Sequence, residues 1–415
     1  MKFLDDLRSE DRGPRSEGGA LRALILLAAG ELMAMGLWFG VSAVAPQIAA
    51  EWHLDSGTTA WLTLSVQLGF VAGTLLSALL NLADVISARH LFALTAFLAA
   101  IVNALFAGFV HTAPAALVLR FLTGAFLAGV YPPGMKLVAT WLRKSRGLGL
   151  GVVVGALTLG KASPYLVNAF GSSNWRENVG VASIVAAAGA LVVALFVREG
   201  PYALPNQPFD FSQVTQVVRN RGVRLANFGY FGHMWELYAM WTWIPVMMRA
   251  SIAKSGDAPA LAEIASFLVI GSGAVGCVVA GRIADRIGRT VVASTAMAIS
   301  GTCCIVIGAL FGRSPVVLLI VAAIWGATVV ADSAQFSACV TELGDPRYIG
   351  TALTIQTCIG FLLTTVTIRL MPLLADRLTW HYAFAVLAIG PFLGIIAMLR
   401  LRRLPEAQRI AQGRR

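Results

Sequence analysis

About twelve apolar runs of roughly 20 residues each, separated by short polar breaks, leave this chain little freedom of fold. A run of that length crosses a hydrocarbon core about 30 Å thick as an α-helix, because lipid offers no water to an open backbone. The runs lie at 21–48, 58–82, 90–110, 114–141, 147–170, 179–198, 224–249, 261–281, 290–311, 315–338, 350–374 and 380–400. Composition agrees. With 57% apolar and 13% charged residues over 415 positions, the chain has too little polar surface for a soluble globule of its size. The expected fold is an all-α membrane protein.

The net charge of +11 raises the question of nucleic acid, and its distribution answers it. With both termini on one side, roughly 23 Lys and Arg fall on that side and about 5 on the other, the bias that marks a cytoplasmic face. Arg8, Arg12, Arg15, Arg143, Lys144, Arg146, Arg219, Arg221, Arg282, Arg286, Arg289, Arg402 and Arg403 belong to the larger group. No nucleic-acid recognition module accompanies them. The polar stretch from Met1 to Gly19 has no apolar core or small-residue cleavage site, so no cleaved signal peptide is expected. Cys277, Cys303, Cys304, Cys339 and Cys358 all fall in spans of the second half, without metal-site spacing, and read as packing residues. No cofactor or metal is expected.

The longest polar interruption, Glu199 to Arg224, holds Pro201, Pro205 and Pro208 and then a short amphipathic stretch from Phe211 to Val218. It divides the chain into a tail (1–20), a six-span half (21–198), a linker (199–223), a second six-span half (224–401) and a second tail (402–415). The halves echo one another. The cluster Gly281-Arg282-Ile283-Ala284-Asp285-Arg286-Ile287-Gly288-Arg289-Thr290 has an eroded counterpart in Asn81-Leu82-Ala83-Asp84 with Arg89. Asp84 and Asp285 stand 201 positions apart, as do Pro114 and Pro315. In the fifth span Gly147, Gly149, Gly151, Gly155 and Gly160 suit close helix packing first and a hinge second.

On these residues the chain resembles the major facilitator superfamily (MFS) over essentially its whole length. Gly281, Asp285, Arg286, Gly288 and Arg289 match that family's signature of Gly, three residues, Asp, Arg, one residue, Gly, Arg. Arg120 and Gly124 match a second signature on the fourth span. There are departures. Leu80 stands in place of the first-half glycine, Val85 replaces a basic neighbour, and Arg89 is shifted by one place. Gly155-Ala156 replaces the Gly-Pro pair of many drug/proton antiporters. The resemblance implies two six-helix bundles related by a pseudo-two-fold axis, with spans one, four, seven and ten lining a central cavity. It also implies that Asp285, Arg286 and Arg289, with Asp84 and Arg89 in the first half, bridge helices in one conformation and release them in another. A fixed turn whose basic residues only set topology is the simpler reading of the same loop.

Ionisable groups inside a span cost about 2.5–3.5 kcal/mol each on insertion scales, so they mark wet cavities or partnered positions. Glu31, Arg120, Glu236 and Asp332 fall on the first, fourth, seventh and tenth spans, and Lys161 and Arg369 on the fifth and eleventh. Glu31 is a candidate proton carrier, and Arg120 either its neighbouring cation, a holder of an anionic substrate, or half of a static pair with it. Lys161 either binds an anion or pairs with a carboxylate; Arg369 is near enough to the surface to snorkel. Tyr230, His233, Glu236, Met240 and Trp243 share one helical face, where His233 and Glu236 form a candidate relay or an aromatic packing face. Trp241 and Trp243 also suit the interfacial belt. Gln356, with Thr364 and Thr367, suits either substrate or interhelical bonding. Asp332 and Gln335 suit an inner gate or a polar vestibule.

No phosphate-binding loop is present, and few histidines remain to build a catalytic centre. A secondary active transporter is therefore expected, working by alternating access and coupled to protons, for a small anion or carboxylate. The expected partners are that solute, protons and the lipid bilayer of a bacterial inner membrane, with the monomer as the working unit and both termini cytoplasmic. A proton-driven exporter of amphipathic compounds, and a receptor or scaffold that transports nothing, are the alternatives.

Overall fold

A computed structural model describes residues 19–142, 146–171, 174–202, 209–210, 213–256, 258–345 and 348–415, with the side chains of 83, 84, 146, 216 and 255 also left out. The expected tail 1–20 is thus almost wholly outside the described residues, as are Arg8, Arg12, Arg15, Arg143 and Lys144. Among the described residues, ten helical stretches are long and apolar enough to cross a membrane. One of them, Ile349–Arg402, is 54 residues long and turns back at Thr379 (φ 60°), so it holds the eleventh and twelfth spans. The seventh span, Arg221–Ser255, is a helix of 35 residues too polar to qualify on hydropathy. Counting these gives twelve crossings in two six-helix bundles, the fold expected.

Local chemistry sets the helix ends. Asp55 caps the second span through Thr58 N at 2.7 Å, Asn174 the sixth through Arg176 N at 3.1 Å, and Asn220 the seventh through Val223 N at 3.0 Å. Pro114, Pro259 and Pro315 sit in first turns, where the missing N–H costs no hydrogen bond. The cluster at Gly281–Thr290 is mostly helix. Pro259–Ile287 runs through Asp285 and Arg286, and Arg289–Val306 begins at once, so the turn is Gly288 alone, at φ 100°.

The two halves repeat at the level of single contacts. The fourth span breaks between Ala113–Leu127 and Tyr131–Trp141, and the tenth between Pro315–Val329 and Ser333–Leu343. A Cβ on Gly73 would lie 2.2 Å from Ala125 O, and one on Gly276 1.8 Å from Ala327 O. Likewise Gly124 meets Val66 O and Gly326 meets Val269 O, at 2.1 and 1.8 Å. Second against fourth and eighth against tenth span are therefore the same backbone-to-backbone packing, written twice.

The halves meet along two seams. Fifth span (Arg146–Phe170) packs on eighth, where Gly151 approaches Cys277 O and Gly155 approaches Ala274 O. Second span (Ser56–Leu79) meets eleventh through Phe70 and Phe361, with ring centroids 4.5 Å apart. The linker stitches the signature face: Phe209 N donates to Asn81 Oδ1 (3.1 Å) and Asp210 N to Thr351 Oγ1 (2.9 Å), one acceptor from each half. The part of the amphipathic stretch that is described forms the helix Val214–Arg219. On the opposite face Arg249 reaches across to Ala43 O (2.9 Å) while paired with Glu263, and Arg369 lies against Gly57 beside Asp55. The halves are thus in contact on both faces.

That opposite face also ties the first half together through Glu51, which accepts from Trp175 Nε1 (2.6 Å) and from Arg176 Nη2 (3.4 Å). The Trp175 bond above all, helped by Trp52 and Arg176, holds the Glu51 carboxyl below the usual glutamate range. A depressed pKa adds stability that is present above the unfolded value and is lost as pH falls through the folded one. Thermal unfolding should therefore show Glu51→Gln less stable than wild type at neutral pH, with the gap closing below the ordinary glutamate range.

Candidate functional site

Where the seams converge, three aromatic rings from both halves face Lys161, and Phe70 and Phe361 pack behind them. Trp38 (first span, Gly19–Ala43) lies 5.1 Å from Phe70, 5.6 Å from Tyr238 and 5.7 Å from Phe361, centroid to centroid. Tyr238 lies 5.3 Å from Trp241 and 5.1 Å from Phe361. The Lys161 ammonium stands 4.0 Å from the Trp38 centroid, 4.6 Å from Tyr238 and 5.3 Å from Trp241, and donates a hydrogen bond to the Tyr238 hydroxyl. Lys161 and Trp241 are each only 1% exposed. A cation at this depth is tolerable because ring faces and a hydroxyl replace water.

Glu31, two helical turns before Trp38, carries the charge that acts on Lys161. It is fully buried, and neither carboxylate oxygen has a hydrogen-bond partner. Room for it comes from Gly134 beyond the break in the fourth span, where a Cβ would lie 2.9 Å from Glu31 Oε2. Tyr131, at the same break, is the other titratable group within its field. Trp38 Nε1, Trp241 Nε1 and both ends of the Gln67 amide are likewise buried without partners.

Arg120 is placed differently. Its guanidinium donates to Leu62 O (3.3 Å), Leu37 O (3.0 Å), Trp38 O (2.5 Å) and Asn103 Oδ1 (3.5 Å). Asn103 in turn donates to Val179 O and Ser183 Oγ, so this cluster fastens five spans of the first half. The cation beside Glu31 is Lys161, and Arg120 is a clamp on main-chain carbonyls.

The expected stripe on the seventh span divides between partners. His233 Nδ1 lies 2.8 Å from Asp332 Oδ1, with Tyr230 and Phe336 against its ring. Glu236 instead accepts from Trp325 Nε1 (2.6 Å), Ser300 Oγ (2.9 Å) and Cys304 Sγ (3.1 Å), inside the second half. Gln356 bridges Asn227 (2.9 Å) and Ser337 (3.1 Å), an interhelical bond, while Thr364 and Thr367 bond within their own helix. Arg369 is at the opposite face, away from the rings. Trp243 donates to Ile368 O (3.0 Å), and Trp241, expected in the interfacial belt, lies instead in the aromatic box.

Trp38, Phe70, Tyr238, Trp241 and Phe361 are the candidate-site residues that sequence reasoning missed. One signal existed: Trp38 shares a helical face with Glu31, two turns on. The others depend on which face of each helix turns to the partner half.

At the signature face, Asp285 lies over the start of the fifth span, where a Cβ on Gly147 would meet Oδ2 at 2.7 Å. This is the favourable end of a helix dipole for a carboxylate. Arg289 stands 3.9 Å from Asp285 and holds Glu342 (2.8 Å) and Gln335 (3.2 Å); Arg286 is exposed, and Gly281 packs on Gly147 O. In the first half the Asp84 side chain lies outside the described residues, and Arg89 bonds Val197 O and His90. The segment 402–415, expected as a tail, is packed down. The 3₁₀ turn Pro405–Gly413 buries Ala407 and Ile410, Ala411 N donates to Glu342 (3.0 Å), and Arg414 donates to Asp285 O.

The chain matches the Major Facilitator Superfamily over residues 27–367 and again over 257–415, and it belongs to that family of membrane transporters. Its fold is similar to that of XylE, an MFS proton:xylose symporter solved bound to 6-bromo-6-deoxy-D-glucose. The TM-score is 0.71 at 14% identity, over 92% of this chain and 96% of that one. At such an identity the likeness speaks for the fold. No curated protein matches the chain. The protein is an integral, multi-pass secondary transporter.

Two outcomes follow from this geometry. Arg120→Lys keeps the charge but lacks the donors for four acceptors, and should cost about 1–3 kcal/mol in detergent unfolding. Deleting 405–415 removes a buried Ile and the contact with Asp285, worth about 2–3 kcal/mol. It should also quicken maleimide labelling of Cys277 and Cys339, read by peptide mapping.

Proposed function

We propose that the protein is a proton-coupled symporter of a small organic anion, with Lys161 as the anion holder and Glu31 as the proton carrier. The observation that carries this reading is the buried Glu31 carboxyl, free of hydrogen bonds and answered electrostatically by Lys161. In the empty protein, ionised Glu31 offsets the Lys161 charge and the site can close. An anionic substrate on Lys161 takes over that role, and Glu31 must then be neutral, so one proton enters with one anion. A proton without substrate leaves Lys161 uncompensated in a dry seam, which opposes leak. Because the box draws its walls from both halves, rocking of the halves opens it to one face or the other, the alternating-access scheme. The XylE likeness supports a symport cycle on this fold and says nothing of the solute.

Glu236 and the His233–Asp332 pair serve the second half. Three donors hold the Glu236 carboxylate in place, which suits a fixed polar core better than a mobile proton. Asp285 on the fifth-span terminus, with Arg289 and Glu342, forms the gate on the signature face, and the positive-inside bias supports a cytoplasmic side for that face and both termini. The two bundles, 21–198 and 224–401, with the linker 199–223 between them, complete a working monomer.

A second reading has one observation in its favour. The box already holds an ammonium group against three rings, as a site for amphipathic cations would. Against it stands the fact that this ammonium is Lys161 itself, whose charge would remain beside a cationic guest.

Proteoliposomes carrying an internal pH dye distinguish these. A set of monocarboxylates should acidify the lumen of loaded vesicles faster than of protein-free ones. Glu31→Gln should abolish accumulation driven by a pH gradient while retaining exchange of internal for external anion, and Lys161→Met should abolish both. Unchanged proton coupling in Glu31→Gln would remove Glu31 from the mechanism. Lumen alkalinisation on adding tetraphenylphosphonium, with carboxylates silent, would favour the exporter.

A further inference from the structure

The box around Lys161 is built for more than a negative charge. Apart from the Glu31 carboxylate, its unpartnered groups are donors: the indole N–H of Trp38 and the indole N–H of Trp241, both buried, beside an ammonium whose hydrogen-bond partner is a tyrosine hydroxyl. A buried donor without an acceptor costs about 1–3 kcal/mol, so such a set calls for a guest that brings acceptors. A sugar is a poor match. Each hydroxyl would bring a donor needing an acceptor, and the unpartnered acceptor beside Lys161 is the Glu31 carboxylate. A carboxylate is acceptor-only, with room on its two oxygens for an ammonium and two N–H groups.

The walls narrow the choice again. Trp38, Phe70, Tyr238 and Phe361 form one continuous stack of rings with centroids 4.5–5.7 Å apart, in tilted geometry, half from each bundle. These spacings are those of mutually attracting ring quadrupoles. A flat aromatic guest joins such a stack when the halves part, whereas an acetate-sized guest leaves the faces bare, and a saturated ring gains area without the quadrupole contact.

Resting on the anion-symport reading above, we infer that the substrate is a planar aromatic monocarboxylate. Its carboxylate is held by Lys161 with the indole N–H groups of Trp38 and Trp241, and its ring is stacked among Phe70, Tyr238 and Phe361. Trp38 and Trp241 are then specificity residues as well as walls, one contributed by each half, and both donors are satisfied only when the guest is present.

Isothermal titration calorimetry on the purified full chain tests this with sodium benzoate, cyclohexanecarboxylate, acetate and xylose as probes. Binding avoids the passive permeation of weak acids that complicates flux. Benzoate should bind about three- to tenfold tighter than cyclohexanecarboxylate, and acetate more weakly than either. Trp38→Phe and Trp241→Phe keep a ring but remove the N–H, and each should weaken benzoate binding about tenfold with melting temperature unchanged. Should one variant fail to fold, the other carries the same test. Equal affinity for acetate, cyclohexanecarboxylate and benzoate would overturn aromatic selection and leave anion symport standing. Benzoate binding untouched in both variants would overturn the role of the indoles. Silence from every carboxylate, with or without xylose binding, would overturn this inference together with the reading it rests on.

Discussion

Charge taken out of water has to be answered within a few ångströms, and in a bundle of apolar helices the answers organise the interior. Arg120 is met by three main-chain carbonyls and Asn103, and thereby joins the first span to four others. Glu236 is met by an indole, a hydroxyl and a thiol, and joins the seventh span to the ninth and tenth. Each half is held by one such cluster. Lys161 belongs to neither. Its partners come from both bundles, so one buried ammonium group joins the two halves at mid-depth.

The halves are alike in backbone and unlike in chemistry. The broken fourth and tenth spans and the paired glycine contacts repeat, since close helix packing in lipid depends on small residues at fixed places. The polar clusters do not repeat: a cation bound to carbonyls on one side, carboxylates bound to donors on the other. The signature is also one-sided. Asp285 covers a helix start and its main-chain carbonyl accepts from Arg414 of the packed C-terminal segment, while Asn81, at the corresponding place in the first half, is joined by the linker to Thr351 of the second. The signature face is thus built from different bonds in the two halves.

Much of this was legible in the chain. Crossing lipid imposes a length and an apolarity that local sequence must satisfy, so the spans and the twofold arrangement could be read directly. The Asp285 cluster and the depth of Glu31 and Lys161 follow from the same runs, whereas the helix breaks before Tyr131 and at Asp332 fall inside runs read as single spans, 114–141 and 315–338. The seventh span also stood out, although its polar residues keep it below an ordinary hydropathy limit. Periodicity then reached its limit. It put His233 and Glu236 on one stripe, but a stripe is wide enough to face two neighbours, and the two side chains took different ones. It left Trp241 at the membrane boundary because an indole in lipid and an indole in a seam look the same in one dimension.

By itself, then, the sequence determined a two-bundle membrane transporter, its signature turn and the identities of its buried charges, because each of these is a constraint on consecutive residues. Only the tertiary structure decided which charge answers which. Arg120 went to carbonyls that no residue-type pattern records, and Glu31 went to Lys161, 130 positions away in the chain. The aromatic box exists only where helices from both halves converge. The physical reason is that pairing energies in a low-dielectric interior fall off within a few ångströms, and those distances are set by how helices rotate against one another.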